Sequence, residues 1–423
     1  MPRKIWLTQF RGLGAMKKME LIRKNALVVG LVTLLAGCGG SENVQIAPDW
    51  ESYVVPETPV SVYTTSNKDM TLDAYGDLVT VGNAGFDGDP TTPAYDSVHK
   101  IVLVKQDRNG NQIWQSLLDY PGERYTVYEV ESDDNGNLYV VGDSFILAAD
   151  SNGQLLWQDT FEGLGLSVTI KDGLVYVPAR TTRIYDLNGN LQSTIDNGDI
   201  YPWEVQVTDD GSVIQATWTA ITRHDAQGNL VWSVNAPSDV TALARIQLDS
   251  SENVYVSYLS NNGSSGGDSA AARVVKIDMN GTQQWARFIP DNRPSSNYYK
   301  SGKVHLFLTA DGEVLNVTAG TKGRQITKLN SDNGQVIFEK VHSGEGEGDD
   351  AYLMDNDKLI IVGSSNPQQF DSNGDLLATG DMAQTLTRNT LAVYGNTFFV
   401  GGNVTKDAEG SDIRALYTAA FSE

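Results

Sequence analysis

The sequence predicts an all-β chain folded as an eight-bladed β-propeller, with seven blades as the alternative count, and three observations carry that prediction. The first is a glycine-centred phrase, Asp-Asn-Gly-Asn-Leu-Tyr-Val-Val-Gly at residues 134–142, which returns loosely around Gly76, Gly173, Gly211, Asn253, Gly312, Asp357 and Gly395. Eight copies at a mean spacing of about 46 residues match the length of one four-stranded blade. The second is Asp-x-Asn-Gly-x-x-x-Trp, at residues 107–114, 150–157 and 278–285, with weaker copies around Gly189, Gly228, Gly334 and Gly374. The third is that no stretch behind residue 37 keeps a 3.6-residue apolar period. The count is left at eight or seven because the intervals from Gly76 to Gly136 and from Glu252 to Gly312, each 60 residues, are longer than the rest.

Within a repeat the elements follow from local chemistry. A first strand, as at residues 167–170, runs into Asn-Gly or Asp-Gly, which supply the positive φ angles of a tight turn. The runs after the turn, Leu-Tyr-Val-Val (138–141), Leu-Val-Tyr-Val (174–177) and Leu-Ile-Ile-Val (359–362), are β-branched and aromatic and read as buried inner strands. A third strand mixes apolar and charged residues, as at 100–107, 273–278 and 325–330, and so sits nearer the rim. The fourth carries Trp114, Trp157, Trp232 or Trp285, with Phe338 in the sixth copy and Ser193 and Ala378 where the aromatic is missing. One large flat side chain per repeat reads as packing between neighbouring blades. The last repeat ends at Glu423 without a Trp strand, whereas residues 49–55 (Asp-Trp-Glu-Ser-Tyr-Val-Val) have that character. An N-terminal strand closing the last blade removes the exposed edges of the ring.

Residues 1–37 stand apart from this pattern. Arg23 and Lys24 precede the apolar run 26–35, a basic region and a hydrophobic region too short to span a membrane. The run ends in Leu35-Ala36-Gly37-Cys38, which resembles the bacterial lipobox and implies cleavage before Cys38 and acylation of its sulfur and new amino group. The expected organisation is a lipoprotein signal peptide at 1–37, a lipidated tether at 38–47 and the propeller at 48–423. Gly39 after the cysteine favours, by analogy, the outer membrane as the site of anchoring, on its periplasmic or its surface face. Cys38 is the only cysteine, so no disulfide and no thiolate metal site compete for it. The chain's net charge is −22, and loss of residues 1–37, with seven basic residues and one acidic one, leaves about −28. Such a field repels nucleic acid and anionic headgroups.

Length beyond a minimal blade collects in loops that an up-and-down blade sends to one face: 83–96, 261–268 and 403–412 between second and third strands, and 120–125, 195–203, 288–299 and 342–350 between blades. Loops held by a rigid scaffold are where binding resides, and Phe86, Tyr95, Arg124, Tyr125, Tyr201, Trp203, Arg293, Tyr298 and Tyr299 are of the types enriched at protein contacts. Catalytic signals are poor. His99, His224, His305 and His342 show no metal spacing, and no Gly-x-Ser-x-Gly elbow or phosphate-cradling Gly-Lys motif occurs. The Asp-x-Asn-Gly copies lack the closing Glu of a calcium loop and read as turns. No metal site and no cofactor is assigned.

The repeated Asp-x-Asn-Gly-x-x-x-Trp phrase over residues 48–423 resembles the blade motif of the quinoprotein-like (PQQ-like) propeller superfamily. With the lipobox and the eightfold count, the chain is similar in plan to the propeller lipoprotein of the outer-membrane β-barrel assembly machinery. The resemblance implies the fold and is nearly silent on activity. Quinoprotein dehydrogenases carry a vicinal cysteine pair, and this chain has no second cysteine. The expected function is therefore a membrane-tethered, non-enzymatic scaffold for another envelope protein or a glycan. The alternative is a quinoprotein-like or calcium-dependent enzyme using the central channel.

Overall fold

Gly76, Gly110 and Gly136 take φ of 77°, 79° and 78°, the left-handed region that only glycine enters without strain, and each reverses the chain between two strands. In a computed structural model describing residues 44–54, 62–87, 97–122, 124–198, 200–260, 271–292, 303–320, 323–342, 348–363, 366–382, 387–408 and 411–422, these turns organise eight antiparallel sheets. The count of eight blades holds and seven is excluded.

Blade 1 shows the plan: Val62–Leu72, Leu78–Asp87, Ser97–Gln106 and Gln112–Leu118, each paired with the next. Blade 2 has three strands, because the long Leu138–Ala149 takes the place of two. Its first half pairs with Val127–Ser132 and its second half with Leu155–Leu164, and Ser144 between them has φ of 64°. Blades 3 to 6 begin at Thr169–Lys171, Val205–Val207, Val240–Leu248 and Lys303–Leu308, and blade 7 at Gly348–Leu353.

Blade 8 closes as the sequence predicts. Thr387–Tyr394, Thr397–Ala408 and Ser411–Ser422 come from the C-terminal end, and Trp50–Val54 pairs antiparallel with the last, Trp50 opposite Ala420. Met70 and Leu78 of blade 1 pack against Phe399 and Ala420 of blade 8, so a hydrophobic cluster spans the closure. One difference lies in front of it. Val44–Ile46, expected within the tether, adds a fifth strand to blade 7, parallel to Leu376–Gly380, with Ile46 packed against the blade 7–8 core. Its apolar Val-Gln-Ile finds an open sheet edge there, which a purely polar tether would not.

The core is divided among the blade junctions. Val79, Val81, Ile101 and Leu103 of blade 1 meet Val130, Leu138 and Val140 of blade 2, and equivalent clusters recur round the ring. Where the outer strand carries an aromatic, that ring fastens the rim. Trp114 lies on Gly153 of the next blade, where a Cβ would stand 2.8 Å from its ring, and its indole N–H donates to Ser151 O at 3.0 Å. Trp157 does the same to Gly189 and Leu187 O, Trp232 to Gly281 and Met279 O, and Trp285 to Gly334 and Ser331 O. Phe338 covers Gly374. Trp50 covers Gly110 and donates to Arg108 O at 2.8 Å, so the last blade grips the first by the same device.

Candidate functional site

Two surfaces qualify, and the loop face comes first because the sequence points to it. Tyr95, Arg293, Tyr298 and Tyr299 lie outside the described residues, and Phe86 is placed by its backbone alone, opposite Val62 and Val98. Arg124 and Tyr125 are exposed where blade 1 passes to blade 2. Tyr125 stacks on His99 at 4.7 Å between ring centroids and meets Tyr120 edge-on at 5.4 Å. Tyr120 in turn stands edge-on to Phe145 at 5.7 Å, and its hydroxyl donates to Asn83 Oδ1 at 2.6 Å. This file of rings leads from the blade 1–2 core to solvent, a rigid apolar contact with Arg124 beside it.

Tyr201 and Trp203 are half-buried. The Tyr201 ring lies against Gly163, where a Cβ would come within 2.5 Å, and Trp203 packs on the core between blades 4 and 5. Both belong to the connection between blades 3 and 4, so among the described side chains of the predicted set Arg124 and Tyr125 lie at one blade junction and Tyr201 and Trp203 at another.

The Asp-x-Asn-Gly turns are structural. Asp107 Oδ1 accepts the backbone N–H groups of Asn109 and Asn111 at 2.9 Å, and Oδ2 accepts the Asn111 side chain at 2.8 Å. Asp150, Asp186, Asp225 and Asp278 accept backbone N–H groups in the same way, so these carboxylates are occupied by their own turns. Among the described residues no three His, Cys, Asp or Glu side chains converge to hold a metal ion.

The second surface is the central channel, which the sequence reading left undefined. The strand read there as inner is the second of each blade; the innermost is the one before the Gly turn, because the chain winds outward from the axis. The first strands line a cavity of about 860 Å³. One side chain per blade faces it in a ring: Asp69, Glu129, Ser167 and Glu204 from blades 1 to 4, then Arg245, His305, Asp350 and Thr390 from blades 5 to 8.

Several of these side chains also couple neighbouring blades. Asp69 accepts the Val130 N–H at 2.9 Å, Glu129 that of Val168 at 2.9 Å, Glu204 that of Ile246 at 3.4 Å and Asp350 that of Leu391 at 3.0 Å. In each case the donor is the residue following the next blade's own ring member. At the junction of blades 3 and 4, where the ring member is Ser167, the Thr169 hydroxyl donates to Val205 O at 3.2 Å.

The electrostatics are strained. Burial first, then the Asp350 and Glu131 charges, hold Asp69 well above the usual carboxylate range, with the Val130 N–H opposing. Burial followed by Asp69 and Glu131 does the same to Glu129. Burial raises Glu204 and Asp350, opposed chiefly by Arg245 and Lys303 respectively. His305 is pushed well below its ordinary value by burial and then by Arg245 and Lys303, so its imidazole is neutral. No sequence signal marks this ring, since its members share a position and not a residue type.

Comparison with known proteins agrees with the architecture. Residues 99–304 match the family model described as outer membrane protein assembly factor BamB. No curated protein matches the chain by sequence. Among solved structures, BamB from Moraxella catarrhalis is similar over 85% of this chain and 99% of its own at 13% identity, with a TM-score of 0.54. The Dos1 propeller is similar over 89% and 95% at 12% identity and a TM-score of 0.57. Dihydro-heme d1 dehydrogenase NirN in complex with DHE follows over 89% and 76% at 12% identity and a TM-score of 0.51. Identities this low speak to fold alone: the chain is an eight-bladed β-propeller similar in fold to BamB, and its residues 99–304 carry the match to the BamB-type family model.

Proposed function

We propose that this protein is a non-enzymatic interaction scaffold, anchored to the outer membrane through lipid on Cys38, which offers its loop face to another envelope protein. The observation that carries the reading is the ring file His99–Tyr125–Tyr120–Phe145, an aromatic contact built on the core and open to solvent beside Arg124. Buried at a partner interface, an aromatic anchor next to an arginine is the usual centre of binding energy. The lipobox and the single cysteine support the anchor. The match of residues 99–304 to a model named for an outer membrane assembly factor supports the setting and a protein partner in preference to a glycan.

A photo-crosslinking amino acid at Tyr125, in cells making the full chain, tests the partner face. Specific adducts there, with none from the same probe at the exposed Asp209 on the opposite, turn-bearing face, are expected. Equal labelling from both positions, or none from either, refutes the assignment. Palmitate-analogue labelling tests the anchor separately. It should vanish in Cys38→Ser, and continued incorporation would show the lipobox to be misread.

A further inference from the structure

We propose that the central channel binds a small organic cation of the alkylammonium class, its charge held by the carboxylates of Asp69 and Glu129. The cavity's size, about 860 Å³, falls within the range that accommodates small molecules. Four consecutive blades, 8, 1, 2 and 3, present Thr390, Asp69, Glu129 and Ser167 to it, a hydroxyl on either side of two carboxylates. Asp69 commits Oδ2 and Glu129 commits Oε2 to the next blade's backbone N–H, and each carboxylate has a second oxygen.

Charge decides the sign of the ligand. Arg245 and Lys303 belong to blades 5 and 6, which in an eight-membered ring stand across the axis from blades 1 and 2, and Arg245 already pairs with Glu204 at 3.8 Å. The near arc sets Asp69, Glu129 and Glu131 against the single cation Lys68 among the lining residues, so it is net acidic, and Asp69 and Glu129 raise each other's cost of ionisation. A cation placed between them removes that cost, whereas an anion increases it.

The second observation is independent of charge. Ser167 Oγ and Thr390 Oγ1 are buried with no hydrogen-bond partner, in residues only 8% and 7% exposed, and both residues line the cavity. His305 Nε2, across the ring, is in the same condition. Unpaired buried polar atoms are costly, and ammonium N–H donors complement hydroxyl and carboxylate oxygens alike. The ring spreads its acids round a circumference instead of converging them, so the fit is to an extended organic cation and not to a metal ion.

Isothermal titration of the mature protein with 1,6-diaminohexane at pH 7 tests this, and saturable one-to-one binding is expected. Glu129→Gln keeps a carbonyl oxygen for the Val168 N–H while removing the charge, and it should weaken binding by about tenfold or more. Asp209→Asn, at a side chain 96% exposed, should leave binding unchanged, and glutarate should not bind. Unchanged affinity in a folded Glu129→Gln variant, or an equal loss in Asp209→Asn, overturns the proposal. So does saturable binding of glutarate to the unaltered protein, a result that needs no variant to fold.

Discussion

The outer rim and the channel wall both join blades to their neighbours, and they do so by opposite chemistry. At the rim an apolar ring lies on a glycine turn and donates one indole N–H, as Trp285 does on Gly334. At the wall a carboxylate reaches the next blade's backbone N–H, as Glu129 does to Val168. The rim joint keeps its polar atoms paired and carries no charge, so it only stabilises. The wall joint holds partly desolvated charges close together, a costly arrangement that a purely structural ring would not need. The difference teaches where function is to be sought: the rim is the scaffold and the wall is the place kept under electrostatic strain.

The most severe way to break the rim is to remove its closure. Deleting residues 44–56 takes away Val44–Ile46 and Trp50–Val54 and bares the edge of Ser411–Ser422. Loss of the half-buried Trp50 side chain alone costs about 3 kcal/mol, and the open edge invites aggregation. Deleting only 39–43 should change stability by no more than about 0.5 kcal/mol. Thermal unfolding of both truncations checks this, and equal midpoints would mean that the ring is closed by something other than Trp50.

Next comes the same joint in mid-ring. Trp285 is 9% exposed, and Trp285→Ala should cost about 3–5 kcal/mol in urea unfolding. Ser193 occupies the equivalent place at the junction of blades 3 and 4, where Gly228 faces Thr194 O at 3.0 Å and no aromatic. Ser193→Ala should therefore stay within about 0.5 kcal/mol. Similar losses at both positions would remove the aromatic from the explanation of blade docking.

The glycine half of the joint can be sharpened by comparing two turns. Gly281 and Gly173 have φ of 84° and 75°, so an alanine at either carries about 1–2 kcal/mol of left-handed strain. At Gly281 its Cβ would also meet Trp232 at 2.7 Å, whereas at Gly173 nothing lies within 4 Å. Gly281→Ala should consequently be the worse by about 1 kcal/mol or more in the same assay. Equal effects would mean that the turn alone, and not its contact with the tryptophan, requires the glycine.

These joints also explain what was legible in the sequence. Trp232 and Gly281 recur at fixed spacing because one local geometry is built repeatedly, and Trp50 betrayed the closing strand by the same chemistry. The wall did not show itself, because Glu129, Ser167, Arg245 and His305 are four chemistries at one structural position. Only strand register and the next blade's N–H reveal that they are equivalent. Residue type alone also does not distinguish an aromatic that packs under a loop, as Trp203 does on the blade 4–5 core, from one exposed on it, as Tyr125 is.

The smallest expected effect separates rim from wall by its dependence on pH. Glu129 is raised in the folded state, so its contribution to stability is fully present below the unfolded value, about 4.3, and is lost as pH rises through the folded one. Glu129→Gln should therefore be more stable than the parent at pH 8, with the advantage shrinking to nothing near pH 4. Asp210, on the turn face, is held below the usual range first by the Thr208 hydroxyl, then by Ser212, with Arg223 assisting against burial. Its stabilisation is present above about pH 3.9 and is lost as pH falls through its lower folded value. Asp210→Ala should accordingly be less stable than the parent at pH 8, with the deficit closing only under strong acid. Melting curves of both variants from pH 3 to 8 should thus diverge from the parent in opposite directions toward high pH. If Glu129→Gln instead loses stability at pH 8, its carboxylate is a net stabilising latch, and the strain attributed to the channel wall is absent.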